Sequence, residues 1–245
     1  MISSLLIRDG CYQDGRVRLV AVRTTVAGVL LAAGEGSRLG RPKALVELGG
    51  QTLAERGVNL LRAGGANPVI VVTGAVPVQL DRIHTVYNDQ WRTGMGSSLR
   101  AALRALSAAK PPAGTAAEQD RTALPANIGA VVVALADQPL VGAGAVARLI
   151  AAYRDGASVV VAAYDGRPRN PVLLAREHWP EVIATTAGDQ GARAFLRARA
   201  DLVTLVECGD TGSPDDIDTA EDLDRVARRA SENADQEQAP RIVPE

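Results

Sequence analysis

Aromatic residues are scarce in this chain of 245 residues: they make up 3%, with a single Phe. A core must therefore be closed by Val, Leu, Ile and Ala, and the apolar fraction of 47% is ordinary for a globular protein. Cysteine is nearly missing. Cys11 and Cys208 have neither zinc nor redox spacing, and nothing in the sequence supports a disulfide between them. Excess charge is missing too. A net charge of −1 removes the electrostatic reason to bind nucleic acid or an anionic membrane surface. No apolar run approaches the roughly 18 residues of a membrane span. Leu5-Leu6-Ile7 is too short, and too soon followed by charge, to be the core of a secretory signal, so the chain reads as cytoplasmic. The two histidines, His84 and His178, have no partner spacing. Lysine is the rarest charged type, Lys43 and Lys110 being two of 27 basic residues.

What is present is a repeated alternation of apolar strand and helix patterns. Residues 26–33 form an apolar run that breaks at Gly34 into a loop with Gly36 and Gly40, with Arg38 and Lys43 beside them. Residues 51–63 have helical periodicity, with Leu53, Gly57, Leu60 and Leu61 on one face. Residues 69–72 read as a strand, 81–86 lead toward another, 88–98 form a loop and about 97–108 a helix. Residues 128–136 are the second long apolar strand, ending in Asp137-Gln138-Pro139-Leu140. A helix over 142–154 and a strand over 158–163 follow, then a polar turn over 165–169 before Asn170-Pro171-Val172. A helix opened by residues 188–193, a strand over 202–206 and a last helix after 215–219 complete the pattern. Thr219 and Asp222 have capping-box spacing.

This alternation predicts an α/β fold: one three-layer domain with a mainly parallel, mixed sheet, Rossmann-like. The domain is expected over residues 26–230. Residues 1–25 read as an N-terminal extension, 110–127 as a flexible insertion without apolar period, and 231–245 as a polar, frayed tail.

Strand, glycine loop and cation together suit a phosphate chain, because glycines let backbone N–H groups approach an anion and the cations neutralise it. Neither common phosphate motif fits. Gly34 and Gly40 enclose five residues where a Walker loop has four, and Gly36 and Gly40 enclose three where the dinucleotide fingerprint has two. That spacing also disfavours a dinucleotide-binding oxidoreductase. Asp137, at a strand end, is a candidate Mg²⁺ ligand, since hard cations on phosphates use one or two carboxylates plus waters; a turn or helix cap is its bland role. The second carboxylate is expected from Asp218, with Asp216 as the fallback.

Residues 31–43, Leu-Ala-Ala-Gly-Glu-Gly-Ser-Arg-Leu-Gly-Arg-Pro-Lys, resemble the L-A-A-G-x-G-x-R-x-G-x-P-K signature of nucleotidyltransferases that release pyrophosphate. With Leu135-Ala136-Asp137-Gln138-Pro139-Leu140, residues 88–103, 188–193 and Asp216-Ile217-Asp218-Thr219, the chain resembles the molybdenum cofactor cytidylyltransferases of the molybdopterin-nucleotide transferase family over roughly residues 26–230. The resemblance implies that Leu31, Ala32, Ala33, Gly34, Gly36, Ser37, Arg38 and Lys43 hold the nucleotide. It also implies that Asp137 and Asp218 bind Mg²⁺. Ala33-Gly34, where guanine-specific members tend to have Gly-Gly, points to CTP. Gly94, Ser97 and Ser98 fall where related enzymes contact the base, although Ser97 could simply cap a helix.

Asn170, Pro171, Asp189 and Arg193 are the expected acceptor side, and Trp91 or Trp179 could stack on a pterin, with packing favoured for Trp179. The implied reaction is attack of the acceptor's terminal phosphate on the α-phosphorus of CTP. Arg38, Lys43 and Asp137 would be the catalytic groups. Implied partners are CTP, a molybdopterin-type acceptor and a molybdenum hydroxylase apoenzyme or its chaperone as recipient. The glycine loop alone also allows sugar, alditol or phospholactate-type acceptors, and a non-catalytic cofactor chaperone is a reading of another class.

Overall fold

The computed structural model describes residues 24–108, 124–125 and 127–238. Cys11, Lys110 and almost all of the expected extension and insertion lie outside these residues. In chain order the elements are β1 (Thr25–Leu31), β2 (Glu47–Leu48), β3 (Gln51–Thr52), α1 (Leu53–Ala63), β4 (Val69–Thr73), β5 (His84–Tyr87), α2 (Met95–Ala108), β6 (Ile128–Leu135), α3 (Ala143–Arg154), β7 (Val159–Tyr164), β8 (Arg167–Ala175), α4 (Trp179–Thr185), α5 (Arg193–Ala198), β9 (Val203–Glu207) and α6 (Ala220–Gln238).

Among the described residues, seven strands form one sheet in the order β5-β4-β1-β6-β8-β7-β9. All neighbours are parallel except at β8, which runs antiparallel to β6 and β7. β1, β4, β6 and β7 are apolar on both faces because both are covered. On one face Val26 and Leu30 of β1 meet Val58 and Leu61 of α1 and Leu149 of α3. On the other, Val29 and Leu31 meet Leu99 and Leu103 of α2, Trp179 of α4 and Phe195 of α5. The result is the expected single α/β domain of three layers with a mostly parallel, mixed sheet. Trp179 is buried, with its indole N–H donating to the Leu174 carbonyl at 3.1 Å, so it packs as expected.

Four boundaries differ from the sequence reading, each for a local reason. Gln51 and Thr52 do not belong to the helix. They pair with Glu47 and Leu48 across Gly49-Gly50, which both take positive φ as a two-residue hairpin demands. Thr52 then caps α1 reciprocally with Glu55. Similarly, residues 167–169 are strand rather than turn. Asp165 and Gly166, at φ 52° and 70°, complete a tight hairpin that pairs Tyr164 with Arg167. The helix expected from residue 97 begins two residues earlier, at Met95. Finally, the polar stretch from residue 231 continues α6 as far as Gln238, through a run with two Glu and two Gln.

The loop after β9 is pinned by one carboxylate. Glu207 accepts from the backbone N–H groups of Gly166 (3.1 Å), Gly209 (3.0 Å) and Asp165 (3.2 Å). These bonds favour the charged form and hold its pKa below the ordinary 4.5. A depressed carboxylate stabilises above its unfolded pKa and loses that contribution as pH falls through its folded value. Glu207→Gln should therefore melt below wild type at pH 7, and the gap should close as pH drops below about 4.5. Paired thermal melts across that range check it; a gap independent of pH would remove the carboxylate from the account.

Candidate active site

β1 and β6 are parallel neighbours with Leu31 opposite Leu135, so the loops that leave them start side by side at the carboxyl end of the sheet. The Ala136 N–H donates to the Leu31 carbonyl at 3.1 Å, which ties the two loops together. A third segment joins them. The Ile217 N–H donates to the Asp137 carbonyl at 2.9 Å, and the Ile217 side chain is buried with Val46, Leu48, Leu53 and Val226. That small core sits beyond the glycine loop and anchors the stretch carrying Asp218 next to Asp137.

At this junction the Lys43 ammonium donates to Asp137 Oδ2 at 2.8 Å and to Asp218 Oδ1 at 2.5 Å. Arg38 Nη2 lies 3.1 Å from Asp218 Oδ2. Lys43 is 19% exposed at its side chain, whereas Arg38 is 72% exposed, so the lysine is the cation sheltered from solvent. Burial works against its charge, but the attraction and hydrogen bonds of Asp137, then of Asp218, outweigh that and raise its pKa.

A cleft of about 290 Å³ opens here. Of the expected nucleotide residues, Leu31, Ala32, Ala33, Gly34, Gly36, Lys43, Gly94 and Ser98 line it, as do Asp137 and Asp189. Two glycines of the loop differ in what they require. A Cβ on Gly36, at φ +66°, would run into the Arg41 carbonyl, whereas one on Gly34 would meet nothing within 4 Å. Gly36 shapes the loop; Gly34 leaves the loop's inner wall without a side chain. Ser37 and Arg38 are exposed and outside the cleft lining, Arg38 reaching the site only through Asp218.

The opposite wall is built on Asn88, which is buried. Its amide donates to Ser97 Oγ at 2.7 Å and to Ser98 Oγ at 3.0 Å, and its Oδ1 accepts from the Gln90 N–H. The Ser97 hydroxyl also faces the Gln90 and Gly94 carbonyls at 2.9 and 2.8 Å. It is therefore spent on the loop. Its one proton is taken there, and Ser97 is not among the residues that line the cleft. Ser98 keeps its place in the cleft. Trp91, with the Arg92 guanidinium 4.3 Å over its ring, completes this wall.

On the acceptor side only Asp189 reaches the cleft. Asn170 and Pro171 lie on β8 just past Val172, which pairs with Val133, and so at the end of β6 that carries Asp137 but outside the lining. Arg193 is exposed at the start of α5 and is not brought to the cleft. Sequence reasoning passed over Asn88 as an organiser, and Arg92 and Met95 as lining residues. The available signal was an Asn nine residues before a Ser-Ser pair at a helix start.

Asp216 is bonded at Oδ1 by the Gln138 amide at 2.7 Å, and Gln138 also donates to the Pro214 carbonyl. Desolvation first, and then the neighbouring Asp137 charge, push the Asp216 carboxyl above the usual range, and its Oδ1 is already held by Gln138. Asp137 and Asp218 instead place hard oxygens within reach of one cation. Among the described residues, no group of three or more His, Cys, Asp or Glu is arranged to hold a metal ion. Two carboxylates fit a divalent ion that takes its other ligands from phosphate and water.

Fold and loop together define a protein that handles nucleoside triphosphates. A model of the MobA-like NTP transferase domain matches residues 28–203, well over half of the chain. The chain belongs to that family and is a nucleotidyltransferase of the MobA-like kind. It is 36% identical over 215 residues to the nicotine blue oxidoreductase of Paenarthrobacter nicotinovorans, across 82% of this chain and 96% of the relative. It is 39% identical over 87 residues to a probable molybdenum cofactor guanylyltransferase of Opitutus terrae, across 35% and 43% of the two chains. Among solved structures, a Mycobacterium sp. strain JC1 homologue of the Mycobacterium tuberculosis protein Rv0371c superposes with a TM-score of 0.66 at 31% identity, covering 85% of this chain and 98% of that one. Among the described residues, no helix is long and apolar enough to cross a membrane.

Proposed function

We propose that the protein transfers CMP from CTP to the terminal phosphate of a molybdopterin-type acceptor. The observation that carries the reading is the convergence of Lys43, Asp137 and Asp218 at the mouth of the glycine loop. The acceptor's phosphate oxygen forms a bond to the α-phosphorus, the bond from that phosphorus to the bridging oxygen breaks, and pyrophosphate leaves. A phosphate monoester is already anionic near neutral pH, so no side-chain nucleophile is needed. Catalysis is positioning and charge neutralisation. The loop holds the triphosphate, and Lys43 and Arg38 balance the charge that builds on the leaving group. Asp137 and Asp218 would hold Mg²⁺, which supplies further neutralisation at the α-phosphate. Asp189, at the cleft's other wall, faces the acceptor, and the finished dinucleotide passes to a molybdenum hydroxylase apoenzyme or its chaperone.

The choice of CTP rests on Ala33-Gly34 and on Ser98. Thermal shifts with CTP, GTP and ATP, each with and without Mg²⁺, test it. A ligand at 100 times its Kd stabilises by about 2.7 kcal/mol. A CTP-selective, Mg²⁺-dependent rise in Tm is expected; a larger rise with GTP would reassign the base.

One observation favours a second reading: the Paenarthrobacter relative carries an oxidoreductase name over nearly its whole length. On that reading the loop would hold the phosphates of a reduced dinucleotide. Pyrophosphate release and oxidation of reduced nicotinamide dinucleotide, followed on the same protein, separate the two.

A further inference from the structure

The two carboxylates that fit a divalent ion are both engaged by cations of the chain itself. Lys43 bridges Asp137 and Asp218, and Arg38 takes the remaining oxygen of Asp218. A metal ion bound by the same oxygens must displace the ammonium. Once displaced, the ammonium is a sheltered positive charge without a counter-ion, unless an anion is there to accept it. Lys43 and Gly34 line one cleft, so a triphosphate on the loop would lie within the lysine's reach.

We propose that Lys43 and the divalent ion compete for Asp137 and Asp218, so that metal and triphosphate enter together: the triphosphate accepts the ammonium that the metal displaces. The charges support an exchange. Two carboxylates balanced by Lys43 and Arg38 become two carboxylates balanced by one divalent ion, and both side-chain cations are released toward the phosphates. Each ligand alone opposes a standing ion pair; together they replace it. Metal and triphosphate are then coupled through one side chain, and the coupling is reciprocal.

This inference rests on the nucleotidyl-transfer reading, and Mn²⁺ binding read by electron paramagnetic resonance tests it without turnover. Lys43→Gln should bind Mn²⁺ alone about tenfold more tightly than wild type, within the usual range of site-to-site coupling. Arg41→Gln removes the same charge two residues away and should gain less than about threefold, because an exposed charge is screened. The wild type offers a check that needs no variant. Lys43 and Lys110 are the only lysines of the chain, so acetylation of Lys43 by acetic anhydride can be read against Lys110 by mass spectrometry. Saturating Mn²⁺ should raise the relative labelling of Lys43, and inorganic pyrophosphate should protect it again. Equal Mn²⁺ affinity in wild type and Lys43→Gln, or labelling indifferent to bound Mn²⁺, overturns the inference alone. No Mn²⁺ binding to either protein, with or without pyrophosphate, overturns it together with the reading on which it rests.

Discussion

Asp137→Asn is expected to fold and to release no measurable pyrophosphate. The substitution keeps the shape of the side chain and the backbone carbonyl that receives Ile217, and it touches none of the three apolar clusters. What it removes is a charge, at a side chain only 24% exposed and 2.8 Å from Lys43. Loss of a single preorganised electrostatic group costs on the order of 10² to 10³ in rate. Here the group would also hold the divalent ion, so a fall of at least about 10³ is expected. Melting and turnover should be measured together. A variant that melts like wild type and keeps more than a tenth of the rate would show that Asp137 has no part in the chemistry.

Gly94→Ala should damage both the fold and the site. Gly94 sits at φ 107° and ψ 171°, a region essentially closed to other residues. A Cβ there would collide with the Gly188 backbone and meet Asp189 Oδ1 at 2.5 Å. Backbone strain of about 1–3 kcal/mol adds to overpacking of about 1–3 kcal/mol. A loss of roughly 2–6 kcal/mol is a large share of a domain's typical ~5–15. Urea titration should show a lower midpoint with little change in slope. Gly40→Ala is the control: it has positive φ, +73°, with open space around it, and should lose only about 1 kcal/mol. If the two variants unfold at the same midpoint, the close contact between these walls does not govern stability. Because the Gly94 loop carries Trp91 and leads into the helix turn that bears Ser98, and the Gly188 loop carries Asp189, this variant should also weaken nucleotide binding.

Much of this architecture was legible because it depends on periodicity. Strands apolar on both faces, alternating with amphipathic helices, leave few ways to fold other than a covered parallel sheet. Lys43 stood out through the scarcity of lysine, and Asp137 through its place at the end of a long apolar strand. The hairpins were harder to see, since two-residue strands carry no period, although Gly49-Gly50 and Asp165-Gly166 were turn signals in plain sight. Ser97 and Ser98 could not be told apart by type. Their roles diverge because one hydroxyl falls against the Gln90 and Gly94 carbonyls and the other against the cleft, a difference of one position on a helix. Arg193 and Asn170 were chosen by segment, and segment alone does not say which residue faces inward.

The Lys43–Asp218 pair closes a loop of 175 residues, and the Lys43–Asp137 pair one of 94. During synthesis the ribosome delivers the glycine loop first, the central aspartate next, and the aspartate before α6 last of all. Until that segment emerges, the nascent chain holds a lysine and one carboxylate with their third companion missing, and the small cluster around Ile217 and Val226 that seats it is still unmade. The three-residue cluster is thus absent from any chain cut short before Ile217. A fragment ending before Ile217 could build most of the sheet and would still lack the residue that closes the site.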